Sequence, residues 1–73
     1  MQTLHFNTTT KTVKLYEGHS QESQILMNIE NVPTVKVTEH FYEVIVSEMN
    51  SDIESRRPVA RFPVANTNMI IEK

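Results

Sequence analysis

The sequence predicts an all-β fold: a small antiparallel barrel or sandwich of six to seven short strands. Three observations lead there. Threonine, valine and isoleucine number 8, 8 and 6 among 73 residues. These β-branched side chains are stiff at the first torsion and suit a pleated surface better than a helix. Alanine, the best helix former, occurs only at Ala60 and Ala65. Several short runs alternate apolar and polar residues with the period of a strand, and polar or proline-bearing stretches separate them. A chain of this length makes a single domain, residues 1–73.

The first element is a hairpin in "TLHFNTTTKTVKLYE". Leu4, Phe6, Val13 and Leu15 share the buried face, His5 points outward to solvent, and Asn7 to Lys11 supply the turn. Gly18, the only glycine, opens the polar stretch "EGHSQES" and is expected at a backbone angle that other residues avoid. "QILMNIE" reads as a strand in preference to a short helix starting at Ser20. Pro33 then marks a strand start or an edge, because it cannot donate to a ladder.

"TVKVTEHFYEVIV" is the clearest segment. Val35 and Val37 alternate with polar neighbours, and the parity then shifts so that Tyr42, Val44 and Val46 share a face opposite Phe41 and Ile45. A tight turn around Thr38 to His40, in preference to a bulge, accounts for the shift. "SEMNSDIESRR" has no period and reads as a mobile loop over about residues 48–57. "PVARFPV" is an edge strand with prolines at its ends, "ANTN" a turn of 3₁₀ type, and "MIIE" a short last strand. The tail "ARFPVANTNMIIE" resembles the last part of SH3-like barrels in its strand, "FP" step, 3₁₀ turn and brief final strand. That resemblance implies an SH3-like architecture. It does not extend to an acidic-aromatic start or a tandem tryptophan, so it implies no peptide-binding groove.

Composition narrows function by exclusion. Cysteine is absent, which removes disulfides, thiolate zinc sites and thiol catalysis. "MQTLHFNTTT" has neither the basic start nor the apolar run of a signal peptide. No stretch approaches the roughly 20 apolar residues of a membrane span. A cytoplasmic protein without a membrane partner is expected. His5, His19 and His40 are scattered, so no metal site is expected. No Gly-x-Ser-x-Gly elbow or glycine-rich phosphate loop is present. A small barrel fills its interior with its own side chains. The expectation is a non-enzyme with no catalytic residues, no cofactor and no small-molecule substrate.

Two binding features remain. "HFYEVIV" is apolar on both faces, and a chain this short cannot easily build a second core. Phe41 and Ile45 therefore need cover, from Met49 and Ile53 of the chain's own loop or from another molecule. Met69, Ile70 and Ile71 likewise cannot all face inward, which adds Met69 and Ile71 to a protein-binding set of Phe41, Ile45, Met69 and Ile71. The second feature is basic. Arg56, Arg57 and Arg61 are all the arginines of the chain, with Phe62 adjacent. Cations that hold phosphates beside rings that stack on bases are the equipment of single-stranded nucleic-acid binders. Net charge is −2, which disfavours a polyanion partner.

The leading expectation is a protein-binding module, homodimeric or with another protein partner, of the accessory regulator or inhibitor type. Size alone invites the analogy with small proteins of bacteriophages and mobile elements. The alternative is an RNA or single-stranded DNA binder using Arg56, Arg57, Arg61 and Phe62.

Overall fold

A computed structural model describes residues 1–19 and 24–73. Among these residues the fold is all-β, with seven strands in chain order: β1 (Gln2–Asn7), β2 (Thr12–Tyr16), β3 (Ile25–Ile29), β4 (Thr34–Val37), β5 (Phe41–Asn50), β6 (Ile53–Pro63) and β7 (Thr67–Glu72). A 3₁₀ turn, Val64–Asn66, joins β6 to β7, where the sequence placed one. The helix alternative beginning at Ser20 lies outside the described residues.

The strands form two sheets, one of order β3-β2-β1-β7 and one of order β4-β5-β6. Both contribute to one buried cluster, as the two-layer principle of small domains requires. Leu4, Phe6, Val13 and Leu15 come from the first sheet, and Val44 and Phe62 from the second. Val32, in the connection between the sheets, completes it. The Val32 amide donates to the Lys11 carbonyl at 2.8 Å, and the Ser47 amide donates to Asn31 at 2.9 Å. The connection is thereby tied to both layers.

The β1–β2 hairpin pairs Leu4 with Leu15 and Phe6 with Val13, as the alternation requires. Asn7 organises its turn, since its Oδ1 accepts from the Thr9 and Thr10 amides at 3.0 Å each. The β4–β5 hairpin also forms as the shift in parity predicts. Val37 pairs with Tyr42, Val35 with Val44, and the Thr38 hydroxyl accepts from the Phe41 amide. In β6, Ala60 and Phe62 share the inward face of Val44 and Tyr42, with a bulge at the Val44/Ile45 step that leaves Val59 unpaired.

Four expectations are corrected. The sheets are not wholly antiparallel: β7 runs parallel to β1, with Leu4 opposite Met69 and Phe6 opposite Ile71. Only hairpin-linked strands are obliged to be antiparallel, and β7 enters from the other sheet through the 3₁₀ turn. His5 is buried rather than solvated. It lies on a central strand, with the Tyr16 ring centroid 6.5 Å away and Glu72 Oε2 3.1 Å from its Nε2, although not aligned for a hydrogen bond. Gly18 does not take a positive φ. That role falls to Lys11, Asn31, Ser51 and Asp52.

The fourth correction concerns residues 48–57. They are not a loop but the outer end of the β5–β6 hairpin, paired from Val46–Arg57 out to Asn50–Ile53. β6, at 11 residues, extends about 37 Å at the usual rise of a strand, and the molecule measures 40 Å along its longest axis. The hairpin therefore reaches past the core as an arm. Its two-residue turn, Ser51–Asp52, holds φ at 49° and 71°, the signature of a type I′ turn, which favours Asn-Gly. Changing Ser51 to Asn together with Asp52→Gly is expected to stabilise the fold by about 1 kcal/mol, because the left-handed region costs a non-glycine residue about that much. Urea titration would read this as a higher midpoint. A lower midpoint would show that the turn is not of this type.

Candidate protein-binding surface

The outward face of the three-stranded sheet is built by register. Thr34, Ile45 and Pro58 lie in one row, Lys36, Glu43 and Arg61 in the next, and Phe41 and Pro63 in the last. Residues opposite one another across strands share a face, so the surface reads apolar, charged, apolar. Phe41 is 42% exposed and Ile45 partly exposed. The unpaired Val59 adds a further exposed apolar side chain beside Pro58. In the charged row, Arg61 Nε donates to Glu43 Oε2 at 2.7 Å, and the Glu43 side chain is largely covered. Glu43 thus lies flat between two apolar ends instead of standing into solvent.

Met49 and Ile53 do not cover this face. They sit at the tip of the arm and are 66% and 69% exposed. The arm's own pairing carries them away from Phe41, so the chain does not supply the lid that its sequence suggested.

Met69 and Ile71 belong elsewhere. Met69 packs half-buried against the core, in register with Leu4, and is not an exposed contact residue. Ile71 is exposed, at the end of the strand edge opposite Phe6. Neither shares a surface with Phe41 and Ile45, because they lie on the other sheet.

The basic cluster is dispersed by the pleat. Arg56 and Arg61 face outward, while Arg57 shares the other face with Val46. Each has a carboxylate partner. Arg56 Nε reaches Glu54 at 2.8 Å, Arg57 Nη2 reaches Glu48 at 2.7 Å, and Arg61 binds Glu43 as described. Phe62 is 8% exposed, with its ring in the core. Glu54 also accepts from the Ser47 hydroxyl at 3.0 Å. These two hydrogen bonds, first that from Arg56 and then that from Ser47, hold the Glu54 carboxyl below its ordinary value. Its carboxylate therefore accepts both bonds at neutral pH, and they are lost as pH falls through that lowered value.

Beside this pair lies an open cleft of about 330 Å³, lined by Lys11, Asn31, Pro33, Ser47, Met49, Glu54 and Arg56. Its cations are balanced in part by Glu54, and among the described residues that line it there is no histidine or general-base pair. Among the described residues no group of three or more histidine, aspartate or glutamate side chains is placed to hold a metal ion. No helix there is long and apolar enough to cross a membrane.

β3 was not legible in the sequence as a surface. Ile25, Leu26 and Met27 are 49%, 48% and 42% exposed. An uninterrupted apolar run normally signals a buried strand, and only the strand order places this one at an edge.

Comparison with known proteins finds no matching family model, no matching curated protein and no matching solved structure.

Proposed function

We propose that this chain is a non-enzymatic protein-binding module, an accessory regulator or inhibitor of a larger complex, that docks through the outward face of its three-stranded sheet. A two-sheet sandwich, with one face of the smaller sheet left open, is the architecture this reading assumes. One observation supports it most: Phe41 is exposed and Ile45 only partly buried, although Met49 and Ile53 belong to the hairpin that continues from them. Burying an apolar side chain of this size contributes about 1.5–3 kcal/mol. A partner protein that covers Phe41, Ile45, Val59 and the flanking prolines gains a part of that contribution from each, since all three are already partly buried. The Lys36–Glu43–Arg61 row gives it a polar register mark at the centre. The partner is a protein or a second copy of the chain, and the setting is cytoplasmic.

The nucleic-acid reading has less support. All three arginines are engaged by carboxylates, and Phe62 is not available for stacking. Exposed ion pairs are worth only about 0–1 kcal/mol, so phosphate could displace them, and the two readings have to be separated by experiment. Affinity capture with the whole protein at low and high salt makes the distinction. A partner protein retained in high salt by the wild type and by the Arg56→Ala/Arg57→Ala/Arg61→Ala variant, but lost with Phe41→Ser/Ile45→Ser, is the expected result. Both substituted residues lie on the open face, so the fold should persist, and circular dichroism checks this. Recovery of nucleic acid that vanishes with salt or with the arginines would transfer the function to the alternative.

A further inference from the structure

The four sheet edges among the described residues are not equivalent. A free strand edge carries unpaired N–H and C=O groups that template pairing with another chain, and proteins usually block such edges. β6 is blocked along its length by Pro58, Pro63, the bulge at Val59 and Arg56, Arg57 and Arg61. β4 has only four residues, follows Pro33 and carries Lys36. β7 ends in Glu72 and Lys73, and Glu72 is bound to Asn7 at 2.9 Å. β3 has no proline and no charged residue from Ile25 to Ile29. Its one irregularity is a bulge at the Leu15/Tyr16 step of its pairing with β2, which leaves Leu26 as the extra residue. Ile25, Leu26 and Met27 are exposed.

We infer that β3 is a homodimerisation edge, on which a second copy of this chain adds its own β3 antiparallel across a two-fold axis near Met27. The edge chemistry demands an extended strand, and β3 is itself a matched one. With Met27 on the axis, Ile25 falls opposite Ile29 of the copy, Leu26 opposite Asn28, and Gln24 opposite Glu30. No charge meets its like. A parallel arrangement in the same register would set Glu30 against Glu30. The antiparallel pair would join the two four-stranded sheets into one of eight strands, order β7-β1-β2-β3-β3-β2-β1-β7, by an isologous contact that closes on itself. A five-residue edge is small beside the roughly 1,200–2,000 Å² of a standard stable interface, so the dimer forms only at elevated concentration.

This assignment rests on the protein-binding reading, because it names one of its partners, but it uses a different surface from Phe41 and Ile45. Sedimentation equilibrium of the whole protein tests it. The mass should rise from 8.5 kDa towards twice that value between about 10 and 500 µM, by mass action. Met27→Lys and Met27→Glu should each remain monomeric, since each places like charges together at the axis. Their equimolar mixture should dimerise again, because Lys then faces Glu. Amide resonances of the wild type should shift with concentration at Ile25–Ile29 and not at Phe41 or Ile45, a readout that needs no variant to fold. A wild type that stays monomeric, single variants that still dimerise, or a mixture that stays monomeric would each overturn the assignment. If the β3 edge fails while Phe41→Ser/Ile45→Ser still abolishes partner capture, the protein-binding reading survives with a different partner.

Discussion

Leu4→Ala is expected to lower the stability of the fold by about 3 kcal/mol or more, the range for leucine truncation in a packed core. Leu4 is fully buried on the central strand β1, between β2 and β7, and belongs to the cluster that joins the two sheets. The surroundings have little freedom to collapse into the space, because Leu15 and Met69 flank it through two backbone ladders. At about 0.05–0.15 kcal/mol per residue a domain of this size has about 4–11 kcal/mol in total, so this one change removes a large share. In thermal melts it should appear as a fall of roughly 12–24 °C, at about 4–8 °C per kcal/mol. Ile71→Ala, on the same sheet but exposed, should stay within about 0.5 kcal/mol of the wild type. Equal losses from the two substitutions would mean that the core is not centred on β1.

The contrast between those two residues also marks where the sequence was informative. Leu4, Phe6, Val13 and Leu15 were legible as core because their alternation is local and their hairpin turn is written into Asn7 to Lys11. Phe62, offered by the sequence as a stacking ring beside the arginines, lies instead in that core. His5 was misread for a reason that local pattern cannot carry. Period two says that His5 lies opposite Leu4 and Phe6, but not whether that second face is wet. On a central strand, between Lys14 and Ile70 in register and with the Tyr16 ring nearby, it is largely dry. Val32 was missed in the opposite sense, since nothing periodic surrounds a buried residue in a connection.

The arm was illegible because its strands are defined by backbone pairing instead of burial. Every residue from Glu48 to Val59 is exposed, so no hydrophobic period marks it, and its turn uses Ser51–Asp52 without glycine. Residues with positive φ at Lys11, Asn31, Ser51 and Asp52, against a Gly18 without one, show the same limit. Pairing can hold polar residues in the left-handed region that composition would reserve for glycine. Of the candidate surface, the outward direction of Phe41 and Ile45 was readable from parity. Its assembly into apolar ends around a charged row was not, because the partners Lys36, Arg61, Pro58 and Pro63 are brought there by register across three strands. The arginine pairings show the same division. Arg56 with Glu54 is local, whereas Arg57 with Glu48 and Arg61 with Glu43 exist only through the hairpin.

Ending the chain after Asn66 should abolish cooperative folding, although only the last strand is removed. β7 is the second neighbour of β1. Without it, the central strand becomes an edge, and one flank of Leu4 and Phe6 opens to water. The half-buried Met69 and Ile70 are lost with it, at up to about 1.5–3 kcal/mol for each side chain when fully buried. The closure near the end of β1 also goes. There the Thr8 amide donates to the Glu72 carbonyl at 2.8 Å, and Asn7 Nδ2 donates to the Glu72 carboxylate at 2.9 Å. The ordering entropy of six residues is recovered in exchange, but the amide and carbonyl groups that β1 had directed at β7 must now find water beside an apolar core. The coupling between layers makes the loss global. β6 and β7 are continuous through the 3₁₀ turn, so β7 is also the covalent link that holds the smaller sheet's last strand against the larger sheet. A chain ending at Asn66 should therefore show far-ultraviolet strand signal without a sharp thermal transition, and its core amides should exchange rapidly. Removing Lys73 alone, an exposed residue beyond the ladder, should change nothing. A sharp transition near the wild-type midpoint in the 66-residue chain would show that the parallel β1–β7 ladder is not part of the cooperative unit, and that the larger sheet is sustained by its two hairpin-side strands.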